Sequence, residues 1–149
     1  MKRLRPASAL LMLLAIDLIW QLVSLSLSIS TNPTLLALAG DSLEYWNMSG
    51  TISEGNFIQN QPFLSAPLYP YFVALLRAVG FDIIGVVVVQ IMLRSVTAWL
   101  IAACSKKMFD NEWLSLFSAT AFLLLLEPAY FATRIVNSSL QLFLVAPSF

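Results

Sequence analysis

The chain has 149 residues, 59% of them hydrophobic and 11% charged, with eight basic and eight acidic side chains and no histidine. Soluble domains average about 25% charged residues, so this excess of apolar residues, gathered in long runs, predicts an integral membrane protein. Zero net charge excludes a general attraction to nucleic acid, the lack of His removes the commonest general base and zinc ligand, and the single cysteine, Cys104, excludes an internal disulfide.

Lys2, Arg3 and Arg5 precede an apolar run over 7–30, long enough for the ~20 residues that a span needs. Basic residues ahead of it put the N-terminus in the cytoplasm. A cleaved signal peptide is the competing reading; the run exceeds a typical apolar signal core, which favours an uncleaved anchor. Asp17 is the one charge inside it. A carboxylate at mid-span faces protein or water rather than lipid, and a packing contact to helices beyond this chain is expected.

Residues 31–81 form a predicted outer segment, the one long polar interruption. Its centre, 40–76, reads GDSLEYWNMSGTISEGNFIQNQPFLSAPLYPYFVALL. An amphipathic surface helix is predicted over 34–51, with Leu35, Leu36, Leu38, Tyr45 and Met48 on its apolar side. The Gly-, Asn-, Gln- and Pro-rich stretch 53–66 reads as irregular loop. Residues 67–80 are apolar and aromatic but short, with Pro70 in the first turn and Arg77 near the end. If this segment crossed, the next run would deliver Lys106 and Lys107 outside; if it lies in the interface, they reach the cytoplasm, which agrees with the distribution of basic residues.

A span over 82–105, a cytoplasmic turn over 109–112 and an outward span over 113–127 follow. Glu127-Pro128 marks the outer end of the last of these, and Trp113 and Tyr130 serve as interface anchors. A final span over 131–147 heads inward. The predicted fold class is therefore all-α: a polytopic transmembrane helical bundle of four spans with interfacial helices in the first outer loop. The chain ends in an apolar run, which predicts a fragment whose further spans are missing.

The chemistry concentrates in the outer segment. Asp41 begins a helical stretch in which Glu44 and Tyr45 share its face. Two carboxylates can divide acid and base roles or bind a divalent cation through oxygen; favourable placement at a helix N-terminus explains Asp41 equally well. Arg77, Arg94 and Arg134 lie in or beside apolar segments. A guanidinium pairs with a lipid phosphate, or it is held in an intramembrane ion pair, which is the expectation for the deeper Arg94. Tyr69, Tyr71 and Phe72 would stack on a sugar or isoprenoid, or form an aromatic belt. No Walker loop, dinucleotide fingerprint, metal-ligand cluster or Ser-His-Asp set is present.

The order of GDSLEYWNMSGTISEGN, APLYPYFVALL, VVVVQIMLRSVTAWLIAACSKKMF and LLLLEPAYFATRIVNSSLQLFL resembles the N-terminal part of the polytopic GT-C glycosyltransferases, closest to the protein O-mannosyltransferase-like group, glycosyltransferase family 39. The resemblance implies transfer of a sugar from a polyprenyl-phosphate donor to an acceptor outside the cytoplasm, with inversion, in a multi-pass protein of the bacterial inner membrane. It implies that Asp41 matches the first-loop catalytic aspartate and that 67–71 shape the outer cavity. Asp41 and Glu44 are thus the expected catalytic residues. Tyr45, Tyr69, Arg77 and Arg134 are the expected substrate-binding residues, with no cofactor beyond an optional divalent cation. Where the family often carries an acidic residue in a Thr-Glu-Ser-Leu pattern, this chain has Asn137-Ser138-Ser139-Leu140. Family members are also several times longer, with many more spans. A non-catalytic membrane structural or assembly protein of the same shape is the alternative.

Overall fold

The computed structural model describes residues 6–31, 38, 40–57, 67–125, 130 and 133–146. Those residues form six helices and no strand. α1 (Pro6–Thr31) starts on proline, whose missing N–H is not needed in a first helical turn. It runs through 26 residues without an internal Gly or Pro. Ser30 and Thr31 donate their hydroxyls to the Leu27 carbonyl at 2.8 Å, closing its last turn. α2 (Asp41–Ser53) and α3 (Leu68–Ala78) pack against each other. α3 ends at Gly80, which takes φ +97°. That left-handed turn lets the Phe81 amide reach back to the Leu76 carbonyl at 3.1 Å. Asp82 then caps α4 (Ile83–Phe109), accepting from the Gly85 amide at 2.8 Å. Asp110 turns the chain at φ 48°. Asn111 caps α5 (Glu112–Leu124) by accepting from the Trp113 and Leu114 amides. α6 (Ser138–Val145) closes the described chain.

α1 and α4, about 39 and 40 Å long at 1.5 Å per residue, are long and apolar enough to cross a membrane. They run antiparallel: Asp17 meets Arg94, while Pro6 and Leu10 share a cleft with Trp99 and Lys106. α5 doubles back along α4. Ser115 Oγ donates to the Ala102 carbonyl at 2.7 Å, and the Ser105 and Ser118 hydroxyls meet at 3.0 Å. Ala98, Ala102 and Ala119 are fully buried. Small residues four apart on both helices bring the backbones close, the packing that membrane helices favour. α1 touches both partners, so α1, α4 and α5 form a triangle, with α6 on the flank of α4.

The largest core cluster lies at one end of this triangle. Leu25 of α1, Tyr45 of α2, Tyr69 and Val73 of α3, and Val86, Val87 and Ile91 of α4 meet there with Ile135 and Leu140. The α2–α3 hairpin therefore covers the end of the bundle where α1 finishes and α4 begins. At 11 residues α3 measures about 16 Å, half of a ~30 Å hydrocarbon layer.

Three expectations change. The helix expected over 34–51 begins only at Asp41, and Leu35 and Leu36 lie outside the described residues. The partner of Asp17 is not in another segment beyond the chain but is Arg94 of α4. Finally, no continuous helix fills the span expected over 131–147. The backbone bends over 133–137, with the Val136 amide on the Arg134 carbonyl at 2.8 Å. α6 is then only eight residues long. Asn137, Ser138 and Ser139 explain the break, since short polar side chains favour helix starts over interiors.

Candidate functional site

The candidate residues gather on and under the α2–α3 hairpin. Asp41 and Glu44 occupy the first turn of α2, where the partial positive charge of the helix terminus favours carboxylates. Asp41 is exposed and Glu44 half-buried. Neither accepts a hydrogen bond or joins an ion pair among the described residues. Tyr45 turns the other way. It is buried against Tyr69 in an edge-on contact, with ring centroids 4.9 Å apart and planes at 77°. Asp41 and Tyr45 thus share a helix side only loosely, one in solvent and one in the core.

Tyr69 is 1% exposed and stacks on Phe72 as well. Among the described residues, its hydroxyl and the Oε1 of Gln90 are both buried without a hydrogen-bond partner. Burial, and next the neighbouring Tyr45, raise the Tyr69 hydroxyl above the ordinary tyrosine range. The Gln90 amide beside it pulls in the other direction, although no well-formed bond joins the two. Gln90 is itself fixed by donating Nε2 to the Val136 carbonyl at 2.9 Å. Tyr71, by contrast, donates its hydroxyl to the Phe57 carbonyl at 2.5 Å, tying α3 to the chain that leaves α2.

Arg77 braces the hairpin. Its Nη1 donates to the Trp46 carbonyl at 2.8 Å and to Ser49 Oγ at 2.9 Å. The guanidinium carbon lies 4.2 Å from the centre of the Trp46 ring, a distance at which a cation is attracted to the ring face. Gly50 makes room, since a Cβ there would lie 3.2 Å from Nη1. Nη2 and Nε make no hydrogen bond among the described residues and remain available to an anion. Arg134 stands apart, on the bend before α6, with its guanidinium 5.0 Å from the Tyr130 ring centre. Its neighbour Ile135 reaches the cluster beneath the hairpin.

A second charged group lies deeper. Arg94 Nη1 donates to Asp17 Oδ2 at 2.6 Å, with the two side chains 2% and 13% exposed. Arg94 Nη2 donates to the Leu123 carbonyl at 2.7 Å. Leu125 is extended, so α5 ends there and its last carbonyls lack amide partners within the helix; Arg94 satisfies one of them.

The structure joins Tyr45 to Tyr69 and Arg77 to α2, while Asp41, Glu44 and Arg134 stay separate from those contacts. The sequence reading missed the notch that holds Arg77. Its signal was present as Trp46, Ser49 and Gly50: an aromatic, a hydroxyl and a glycine three and four residues apart on one helix side. Among the described residues no three of His, Cys, Asp and Glu lie together as a metal site; Asp41 and Glu44 offer two oxygen ligands on one turn. No protein-family model, curated protein or solved structure matches the chain.

Proposed function

We propose that the chain is part of a polytopic membrane glycosyltransferase that moves a sugar from a polyprenyl-phosphate donor to an acceptor on the non-cytoplasmic side of a bacterial inner membrane. The membrane reading draws on α1, whose side chains Leu11, Ile16, Ile19, Trp20 and Leu27 are exposed along its length. An apolar face of that extent is unstable in water. Arg94 argues that α1 is a retained anchor, since removing it would strand the buried guanidinium without Asp17.

The observation that carries the catalytic reading is Asp41, an exposed carboxylate uncommitted to any partner among the described residues, on a hairpin that Tyr71 and Arg77 hold in place. In this mechanism Asp41 takes the proton of the acceptor hydroxyl as its oxygen attacks the anomeric carbon. The bond from that carbon to the phosphate oxygen breaks, and the lipid phosphate leaves as an anion. Arg77, through Nη2 and Nε, or Arg134 stabilises the departing charge. Glu44 assists from the same turn, and Tyr45 and Tyr69 hold the aromatic wall behind it.

The alternative, a non-catalytic structural or assembly protein, draws on Tyr69 and Arg77, both already engaged in packing the hairpin. The two readings separate on Asp41→Asn in the complete gene product, which keeps size but removes basicity. Transfer from a synthetic polyprenyl-phosphate donor falls by roughly 10²–10⁴-fold at equal membrane abundance if Asp41 is the base, and Glu44→Gln loses less. Turnover within a few-fold of wild type leaves Asp41 as a helix-end residue and favours the structural reading.

A further inference from the structure

Gln90 is the one polar side chain between Asp82 and Arg94, in an otherwise apolar run of α4, and it is fully buried. An amide buried within a membrane-spanning helix is costly unless it is bonded. Its Nε2 donates to the Val136 carbonyl at 2.9 Å, on the bend over 133–137. We infer that Gln90 is a positioning residue for Arg134: its amide ties the bend to α4 and so sets where that guanidinium stands relative to the α2–α3 hairpin. The role given to Arg134 rests on the transfer reading; the hold on the bend does not.

Depth is the first support. Gln90 stands about 10 Å along α4 from Ile83 at 1.5 Å per residue. Non-helical backbone at membrane depth is tolerated only where protein or water satisfies its polar groups, and Gln90 does so for the Val136 carbonyl. The second support is that the other bonds of the bend are local. The Thr133 amide and hydroxyl reach the Tyr130 carbonyl at 3.2 and 2.8 Å, and the Val136 amide reaches the Arg134 carbonyl at 2.8 Å. These bonds shape the bend; the Gln90 bond joins it to α4. Thirdly, Arg134 makes no hydrogen bond among the described residues, and the ring its guanidinium rests on, Tyr130, belongs to the same segment. Its place is therefore inherited from the backbone beside it. There Ile135 packs into the cluster with Tyr69 and Ile91, while Gln90 holds Val136, so two neighbouring residues are fastened next to Arg134.

The test measures position first. The chain is reconstituted in phosphatidylcholine vesicles in a Cys104→Ser background. Spin labels at the exposed positions 54, at the end of α2, and 141, in the first turn of α6, report the distance from the hairpin to the far side of the bend. Labels at the exposed positions 16 and 117 report α1 against α5. Gln90→Met keeps the length of the side chain but not the donor. It should shift or broaden the 54–141 distances and leave the 16–117 distances unchanged. An unchanged 54–141 distribution overturns the inference. Equal disturbance of both pairs also overturns it, because Gln90 is then a general packing residue. If Gln90→Met fails to insert, Gln90→Asn, shorter by one methylene, takes its place with the same outcomes. Turnover of the complete gene product then tests the consequence. A misplacement of about 1 Å can cost roughly 10²-fold, so Gln90→Met should lower kcat and kcat/KM alike by about that factor. Added to Arg134→Gln, it should lower them no further; a second full loss overturns positioning through Arg134. If Arg134→Gln alone transfers at the wild-type rate, the transfer role of Arg134 fails, and the distances decide by themselves whether Gln90 sets the bend.

Discussion

Replacing Asp17 by Leu leaves Arg94 buried at the centre of the α1–α4–α5 triangle with a charge and no counter-ion. At the observed 2.6 Å separation, Coulomb attraction is roughly 6 kcal/mol for an effective dielectric near 20. Desolvation of the two groups offsets most of that when the pair forms. It is not recovered when one partner alone is removed, and breaking a buried pair in this way costs about 3–5 kcal/mol. Thermal unfolding in a neutral detergent, followed by the far-ultraviolet helix signal, should therefore move down by roughly 10 °C. Arg94→Leu should cost at least as much, because the Leu123 carbonyl also loses its donor. The double replacement should be less damaging than the two single losses added, with a coupling of about 2 kcal/mol or more. Additivity within about 0.5 kcal/mol would refute the argument and reduce the pair to two independent polar residues.

Arg77→Gln should free the α2–α3 hairpin without unfolding the bundle. A charge-assisted bond and a ring contact together contribute about 2 kcal/mol, so exchange of α2 amides should rise roughly 30-fold while α4 is unchanged. Tyr69→Phe should leave stability level or slightly higher, because it removes a buried hydroxyl without a partner. In the wild type that hydroxyl stays protonated in the folded chain above pH 10.0, its ordinary value, while the unfolded chain ionises. The unfolded state then binds fewer protons, and stability falls as pH rises past about 10; Tyr69→Phe should flatten that fall in a pH series of unfolding midpoints. In a Cys104→Ser background, a cysteine at position 56 should react with an impermeant thiol reagent added outside, and one at position 107 should not; the reverse pattern would invert the proposed topology.

The long helices were legible because their signal is local. The runs expected over 7–30 and 82–105 return as Pro6–Thr31 and Ile83–Phe109, displaced only where caps decide the ends. Asp82 caps the start of α4, and Asp110 in a left-handed turn extends α4 almost to the start of α5, which Asn111 caps. What pairing does across the fold was not legible from spacing. Arg77 reaches Trp46 over 31 residues and Arg94 reaches Asp17 over 77. Even so, Asp17 and Arg94 sit at nearly the same depth from the ends of their expected antiparallel runs. Depth matching between two lone opposite charges would have paired them. The catalytic assignment rests on resemblance and on Asp41 alone, because carboxylates on one helix turn do not declare a substrate. The last expected span failed for a local reason, the polar Asn137-Ser138-Ser139 step, which an average over apolar residues conceals.

The Asp17–Arg94 contact also sets an order of assembly. α1 leaves the ribosome with its carboxylate, and the arginine that neutralises it is made 77 residues later. At roughly 5–20 residues per second, several seconds pass in which the Asp17 carboxylate has no counter-ion from its own chain. α4 then arrives as the counter-ion, and α5 follows to supply the carbonyl for the other half of the guanidinium. The triangle is therefore completed by its final member, and a chain interrupted between α1 and α4 leaves Asp17 without the arginine that neutralises it.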